Sequence, residues 1–166
     1  MFKGKRIVDS YDSFYRKNKD RIFAYLLRLT GDYHLSNDFM QESFVRYFSH
    51  YHTTPGNNCA LLFTIARNAF LDSIRKYKEE KFQDKKEVAW VSNPESQLIE
   101  KQALDKMLAA IQKLNSVDRE LVALLATKTF SYKEIGKILN ISETNVKVKV
   151  HRARLRLKAI LKNGGQ

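Results

Sequence analysis

The 166-residue chain has one cysteine, two prolines and no long apolar run. It therefore has few of the features that are common in secreted and membrane proteins. Because Cys59 is the single cysteine, an internal disulfide is excluded, and we expect a reducing compartment. No apolar run approaches the roughly 20 residues that cross a bilayer, and the first residues lack the apolar core of a secretory signal. We therefore expect a cytoplasmic protein without membrane insertion.

Residues and motifs that carry catalysis are also scarce. The chain has four histidines, and it contains no glycine-rich phosphate loop, nucleophile elbow or metalloprotease pair. His50, His52 and Cys59 lie close in sequence and are candidate metal ligands, but a fourth ligand at a familiar spacing is missing. We predict that the protein is not an enzyme and that it has no metal site and no cofactor.

Positive charge, in contrast, is abundant. Thirty Lys and Arg stand against 18 Asp and Glu, which gives a formal net charge of +12. The excess is largest in residues 96–166, with 14 basic and six acidic side chains. Such a balance favours a polyanionic partner through counterion release, and an anionic membrane surface is the weaker alternative.

Helical periodicity is almost continuous along the chain, while strand signals are scarce. We predict an all-α fold of two small helical domains joined by a linker, the C-terminal one a four-helix helix-turn-helix domain. The predicted domains are residues 1–77 and 96–166, with the charge-dense linker at 78–95. The first five predicted helices run over about 10–29, 36–51, 60–77, 96–114 and 118–126, and Ser131 and Ser142 begin the last two.

The predicted helices carry apolar stripes that should face the two cores. Val45 belongs to the inward face of the second helix, and Ala103 and Met107 to that of the fourth. In the linker, Phe82 and Trp90 are apolar exceptions. Docking on a neighbouring domain is the favoured interpretation of these two side chains, and ordering on a partner is the alternative.

The last two helices form a helix-turn-helix pattern. Ser131 can cap the first of them with Glu134 as its capping-box partner, Leu139–Ile141 makes the turn, and Ser142 opens the second. An apolar stripe follows at helical spacing: Val146, Val150, Ala153, Leu157 and Ile160. The other faces are basic and would fit the major groove of duplex DNA. A solvated basic surface helix is the alternative.

Four segments together resemble a known family. They are 28–32 (RLTGD), 38–44 (DFMQESF), 65–68 (IARN) with Asp72 and Arg75, and 131–156. In order and spacing they resemble a bacterial RNA polymerase sigma factor of the extracytoplasmic-function group, and the resemblance covers nearly the whole chain.

The resemblance implies that the first domain binds core RNA polymerase and opens and holds the promoter element near minus ten, while the second reads duplex DNA near minus thirty-five. The implied polymerase-binding residues are Asp38, Gln41 and Glu42. The implied minus-ten residues are His52, Asn57, Asn58, Arg67, Asn68, Asp72, Arg75 and Lys76. The implied minus-thirty-five residues are Thr144, Asn145, Lys147, Lys149, His151, Arg152 and Arg154. An anti-sigma factor is an expected further partner.

Other interpretations of the same residues stay open at this point. Asp38 and Glu42 suit an ordinary solvated helix face, and Asp72 is spaced to pair with Arg75 or Lys76 on its own helix. A stand-alone helix-turn-helix transcription regulator would explain residues 131–156 equally well. A protein that binds and sequesters a partner is a third interpretation, and it predicts no steep salt dependence of DNA binding.

Overall fold

The computed structural model describes residues 3–50, 58–81 and 98–163, and these residues form seven helices and no strand. The all-α prediction is therefore confirmed. The helices are α1 Lys3–Thr30, α2 Tyr33–His50, α3 Cys59–Lys81, α4 Leu98–Gln112, α5 Ser116–Leu125, α6 Tyr132–Leu139 and α7 Glu143–Asn163. No described helix is long and apolar enough to cross a membrane.

The junction of α1 and α2 differs from the prediction. Gly31 takes a left-handed backbone (φ 70°) after the end of α1, and Asp32 then caps α2 because its Oδ1 accepts a hydrogen bond from Leu35 N at 2.9 Å. The predicted start at Ser36 or Asn37 is wrong. Ser36 is fully buried, and its Oγ shares a hydrogen bond of 2.8 Å with Thr30 Oγ1.

Aromatic side chains join the first three helices. Phe14 of α1 stacks on Tyr47 of α2 with ring centroids 4.8 Å apart, and Tyr25 of α1 lies 5.1 Å from Phe63 of α3. Val45 was predicted to share this inward face, but it is 63% exposed. The buried stripe of α2 is narrower than the sequence suggests, because Phe44 and Tyr47 already fill the space against α1.

The C-terminal helices pack on a small apolar core. Its fully buried members include Leu121, Leu124, Ile135 and Val146. α5 begins two residues before the predicted Asp118, because the side chain of Asn115 accepts a hydrogen bond from Asp118 N at 2.9 Å. Two predicted inward residues of α4 are exposed: Ala103 and Met107 lie in turns of this helix that project beyond the core, whereas the buried Ala110 and Ile111 lie in its last turns.

The two groups of helices, α1–α3 and α4–α7, pack against each other. α1 lies against α4 and α5, and α3 lies against α6. Gln112 Nε2 donates to Arg28 O at 2.8 Å, and the ring of Phe63 meets that of Phe130 at 4.8 Å. One buried cluster therefore runs through both groups. α3 also extends to Lys81, so the first four residues of the predicted linker are helical; Phe82 and Trp90 lie outside the described residues.

Candidate nucleic-acid interface

The first helix of the helix-turn-helix is fixed by its N-terminal cap. Glu134 N donates to Ser131 Oγ at 3.3 Å, while Ser131 N donates to Glu134 Oε2 at 2.8 Å. This is the predicted capping box. The hydrogen bonds from the backbone and the hydroxyl of Ser131 lower the pKa of Glu134, because they stabilise its charged carboxylate.

The turn between α6 and α7 depends on a close approach that only glycine permits. Asn140 adopts a left-handed backbone (φ 56°), and Ile141 N donates back to Gly136 O at 2.9 Å. A Cβ atom at Gly136 would lie 2.6 Å from Ile141 O, a backbone atom that cannot move independently. Gly136 was not predicted from the sequence, although a glycine inside a short helix is a signal of such a contact.

α7 presents a buried stripe and exposed basic faces. Ser142 caps it, accepting from Asn145 N at 3.2 Å. Val146, Val150 and Ala153 are buried against α5 and α6, and Leu157 and Ile160 are partly buried. The stripe predicted from spacing is therefore present, and it fixes which faces of α7 remain open.

The predicted minus-thirty-five residues lie mostly on these open faces. Thr144, Asn145, Lys147, His151, Arg152 and Arg154 are exposed, and Lys149 is half-buried. Lys147 Nζ lies 3.2 Å from Glu143 Oε1 one turn earlier, an exposed pair that a phosphate can replace at little cost. Arg156, one turn beyond Arg152, is bound to the buried carboxylate of Asp118, so this cation connects α7 to α5.

The predicted minus-ten residues of α3 are less open. Arg67 Nε donates to Glu120 Oε2 of α5 at 2.6 Å, and both side chains are largely buried. Arg75 Nη2 lies 3.2 Å from Asp72 Oδ1, the local pairing that the spacing allowed. Asn68 and Lys76 are exposed. The partner of Arg67 was not predicted from the sequence, because it lies 53 residues further along the chain.

The residues before α3 are described only in part. Asn58 caps this helix, because its Oδ1 accepts from Leu61 N at 3.1 Å. His52 and Asn57 lie outside the described residues, so their minus-ten role stays a prediction. His50 Nδ1 lies 2.9 Å from Arg46 O, and Cys59 Sγ donates to Asn18 Oδ1 at 3.2 Å. Across the described parts of the chain, no group of three His, Cys, Asp or Glu is placed to hold a metal.

The predicted polymerase-binding residues share one open face of α2. Asp38, Gln41 and Glu42 are all exposed, and their spacing of three and four residues puts them side by side. The Glu42 carboxylate pairs with Arg46 on the same helix. The other side of α2 is buried against α1 and α3. This patch therefore offers carboxylate and amide acceptors on a rigid helix.

Comparisons with known proteins agree with this arrangement. The model of sigma-70 region 2 matches residues 14–80, and that of sigma-70, region 4 matches residues 104–157. The chain is 35% identical over 164 residues to the ECF RNA polymerase sigma factor SigM of Bacillus subtilis, covering 92% of this chain and 96% of that protein. It is 30% identical over 160 residues to the ECF RNA polymerase sigma factor SigE of Mycolicibacterium smegmatis, covering 93% of this chain and 62% of the longer relative.

A solved structure has the same fold. The sigma factor RpoE of Bartonella quintana, in complex with the anti-sigma factor NepR, superposes with a TM-score of 0.76 at 24% identity, covering 92% of this chain and 96% of that one. At that identity the likeness extends to the helical architecture, and the roles of individual side chains must come from their own geometry.

Proposed function

This chain belongs to the extracytoplasmic-function sigma factors of RNA polymerase, and from that premise we propose that it binds core polymerase in the cytoplasm and delivers it to promoters. In this proposal α7 reads duplex DNA near minus thirty-five, and the α1–α3 group holds the opened strand near minus ten. The sigma factor makes no covalent bond, because RNA synthesis belongs to the polymerase.

The observation that carries the proposal is the open basic surface of α7 in a rigidly capped helix-turn-helix. The capping box at Ser131 and the tight turn at Gly136 fix the angle between α6 and α7. Lys147, His151 and Arg152 then lie on the exposed N-terminal half of α7. This is the part of a recognition helix that meets base edges, with phosphates within reach of Thr144 and Asn145.

Polymerase binding is assigned to the α2 patch. Asp38 and Glu42 can engage an Arg-bearing helix through charge-assisted hydrogen bonds, with Gln41 between them. The patch lies on α2, which contacts α1 and α3 but not α7, the helix proposed to meet duplex DNA. This separation supports simultaneous binding of polymerase and promoter.

Strand opening is assigned to α3 and the residues before it. An unpaired base loses its stacking energy and must regain it from a pocket with hydrogen-bonding side chains, while cations hold the backbone. In this proposal Asn58 and Asn68 offer amides, and Arg67, Arg75 and Lys76 offer the cations. His52, Asn57 and Asp72 are proposed to take part in the same binding. Asp72 partly offsets the positive charge of Arg75, with which it forms an ion pair.

A protein inhibitor is the further partner that we infer. The Bartonella quintana relative was solved in complex with an anti-sigma factor, and this chain shares its fold over nearly its full length. We propose that a comparable anti-sigma factor controls this protein.

Polymerase binding can be tested directly by size-exclusion chromatography with core RNA polymerase. The wild-type chain should co-migrate with the core enzyme, whereas the double change Asp38→Asn and Glu42→Gln should weaken the complex on the order of tenfold or more, because two charge-assisted contacts are lost. Asp12→Asn, which removes a carboxylate from an exposed α1 pair, is the matched control. A stand-alone regulator would bind duplex DNA but would not co-migrate with polymerase.

A further inference from the structure

An ion pair connects the two helix groups at a residue that the proposed function assigns to DNA. Arg67 of α3 donates to Glu120 of α5 over 2.6 Å, and the side chains are only 20% and 8% exposed. The other ion pairs among the described residues either lie within one helix or join α5 to α7. The Arg67–Glu120 pair is therefore a charge contact between the groups.

The surroundings of this pair are apolar. Tyr25 is fully buried beside it, and burial raises the pKa of its phenol, with Glu120 raising and Arg67 lowering that pKa in turn. The Tyr25 hydroxyl has no hydrogen-bond partner among the described residues. Phe63 packs on Tyr25 and on Phe130 of the other group. In such surroundings a charge that loses its partner is destabilising, so Arg67 and Glu120 hold each other strongly.

Charges from both helix groups act on the Cys59 thiol at the start of α3. Burial raises the pKa of this thiol; Arg21 and Lys17 of α1 lower it, and Glu134 of α6 raises it.

We propose that Glu120 is an internal competitor for Arg67: it occupies the guanidinium that would otherwise hold a DNA phosphate, and it keeps the two helix groups closed until promoter DNA or polymerase displaces it. The closed arrangement itself is independent of the proposed function. The identification of DNA as the competing ligand, in contrast, rests on the proposed function.

A DNA phosphate can compete with Glu120 for the Arg67 guanidinium. A phosphate can accept two parallel hydrogen bonds from one edge of the Arg67 guanidinium, whereas Glu120 Oε2 accepts from its Nε. Once released, Glu120 regains hydration only if α5 moves away from α3, so DNA binding at Arg67 and separation of the helix groups are coupled. The apparent affinity for single-stranded DNA is then reduced by the fraction of molecules that are closed.

Closure can be measured through the single thiol. Cys59 is half-buried at the start of α3, the helix that α6 contacts, and Glu134 of α6 raises its pKa, so separation of the groups should accelerate its reaction with a small disulfide reagent. Full-length Glu120→Gln and Arg67→Gln should both react on the order of tenfold faster than wild type, with unchanged helical circular dichroism. The exposed-pair variant Asp12→Asn should react at the wild-type rate.

A charge swap guards against a folding defect. Arg67→Glu and Glu120→Arg should each accelerate the Cys59 reaction, and the two combined should restore the slow rate because the pair is re-formed with reversed polarity. The proposal that the Arg67–Glu120 pair keeps the helix groups closed would be overturned if neither single variant accelerated the reaction. It would also be overturned if the combined variant failed to slow the reaction.

DNA competition is read out separately, by fluorescence anisotropy with a random 20-nucleotide single strand as the probe. Glu120→Gln should bind it several-fold more tightly than Asp12→Asn, although both changes raise the net charge by one. A faster thiol reaction with no gain in single-strand affinity would support closure of the helix groups by the Arg67–Glu120 pair. The same result would overturn DNA as the ligand of Arg67. A gain in affinity without faster thiol reaction would overturn the coupling.

Discussion

The two surfaces proposed to meet DNA differ in how much of their positive charge is available in the free chain. On α7, Lys147, His151 and Arg152 are exposed, and the ion pair of Lys147 with Glu143 is a solvent-exposed contact within the helix. On α3, the pair of Arg75 with Asp72 is equally exposed, but Arg67 is bound by the largely buried Glu120 of another helix group. The proposed duplex-reading surface is open, whereas one cation of the proposed single-strand surface is occupied by the protein's own Glu120.

This difference matches the two tasks. Duplex DNA exists before the promoter opens, so a preformed reading helix costs nothing while the protein searches. Single-stranded DNA is exposed only after melting, and a surface already open to it would bind irrelevant strands. In the proposed scheme, occupation of Arg67 by Glu120 would make that surface available only after the helix groups separate.

The largest expected effect comes from the aromatic contact between the groups. Phe63→Ala removes a fully buried ring that touches Tyr25 and Phe130, and it should cost about 3–5 kcal/mol of unfolding free energy. Urea unfolding followed by circular dichroism measures this loss. Leu155→Ala, at a position 56% exposed, is the control and should change stability by no more than about 0.5 kcal/mol. Equal costs at the two positions would contradict the shared core.

The next effect isolates the reading surface. Gly136→Ala forces a Cβ to within 2.6 Å of Ile141 O, and the resulting displacement of the turn should cost about 1–3 kcal/mol. Duplex DNA binding should fall steeply in a gel-shift assay, while binding of a single strand should remain near the wild-type level. A parallel loss of both activities would mean that the two surfaces are not independent.

Within α7, base reading and phosphate contact can be separated. Arg152→Ala should cost on the order of 1–3 kcal/mol at the correct promoter element and less at a scrambled one, because a base contact is lost. Arg154→Ala removes the same charge further along the helix and should weaken both duplexes alike. Quantitative gel shifts at fixed salt provide the comparison. An equal loss on both duplexes for Arg152→Ala would reduce its role to phosphate binding.

The smallest effect concerns the cap of α6. Ser131→Ala should cost about 1 kcal/mol of unfolding free energy, because Glu134 N loses its acceptor.

The folded-state pKa of Glu134 is below its ordinary value, so the contribution of this carboxylate to folding stability is present at neutral pH and is lost as the pH falls through the lowered pKa. Urea midpoints across this range should fall less in Glu134→Gln than in wild type. Identical slopes for the two would contradict the assignment.

Local signals explain why much of the fold was predictable. The capping box at Ser131, the turn at Asn140 and the apolar stripe of α7 each depend on residues within a few positions of one another. The start of α2 was predicted less well, because Asp32 and Ser36 are both plausible caps. Packing of Ser36 against Thr30 decides between them, and no local pattern encodes that contact.

The charges of α5 show where sequence reasoning fails. Asp118 and Glu120 lie near the start of α5, where exposed acids would suit the helix dipole, but both are buried and bind arginines that lie 38 and 53 residues away. Acids in a first helical turn look the same whether they face solvent or a distant cation. The α7 surface was found from sequence because it is one helix, whereas the occupied state of Arg67 depends on two helices from different groups.

Transcription by purified core RNA polymerase on fragmented genomic DNA, with and without this protein, decides whether the chain directs initiation. If it is a sigma factor, mapped RNA starts should appear only with the protein and should share paired elements near minus ten and minus thirty-five. Duplex DNA binding without any new start site would instead identify a stand-alone regulator.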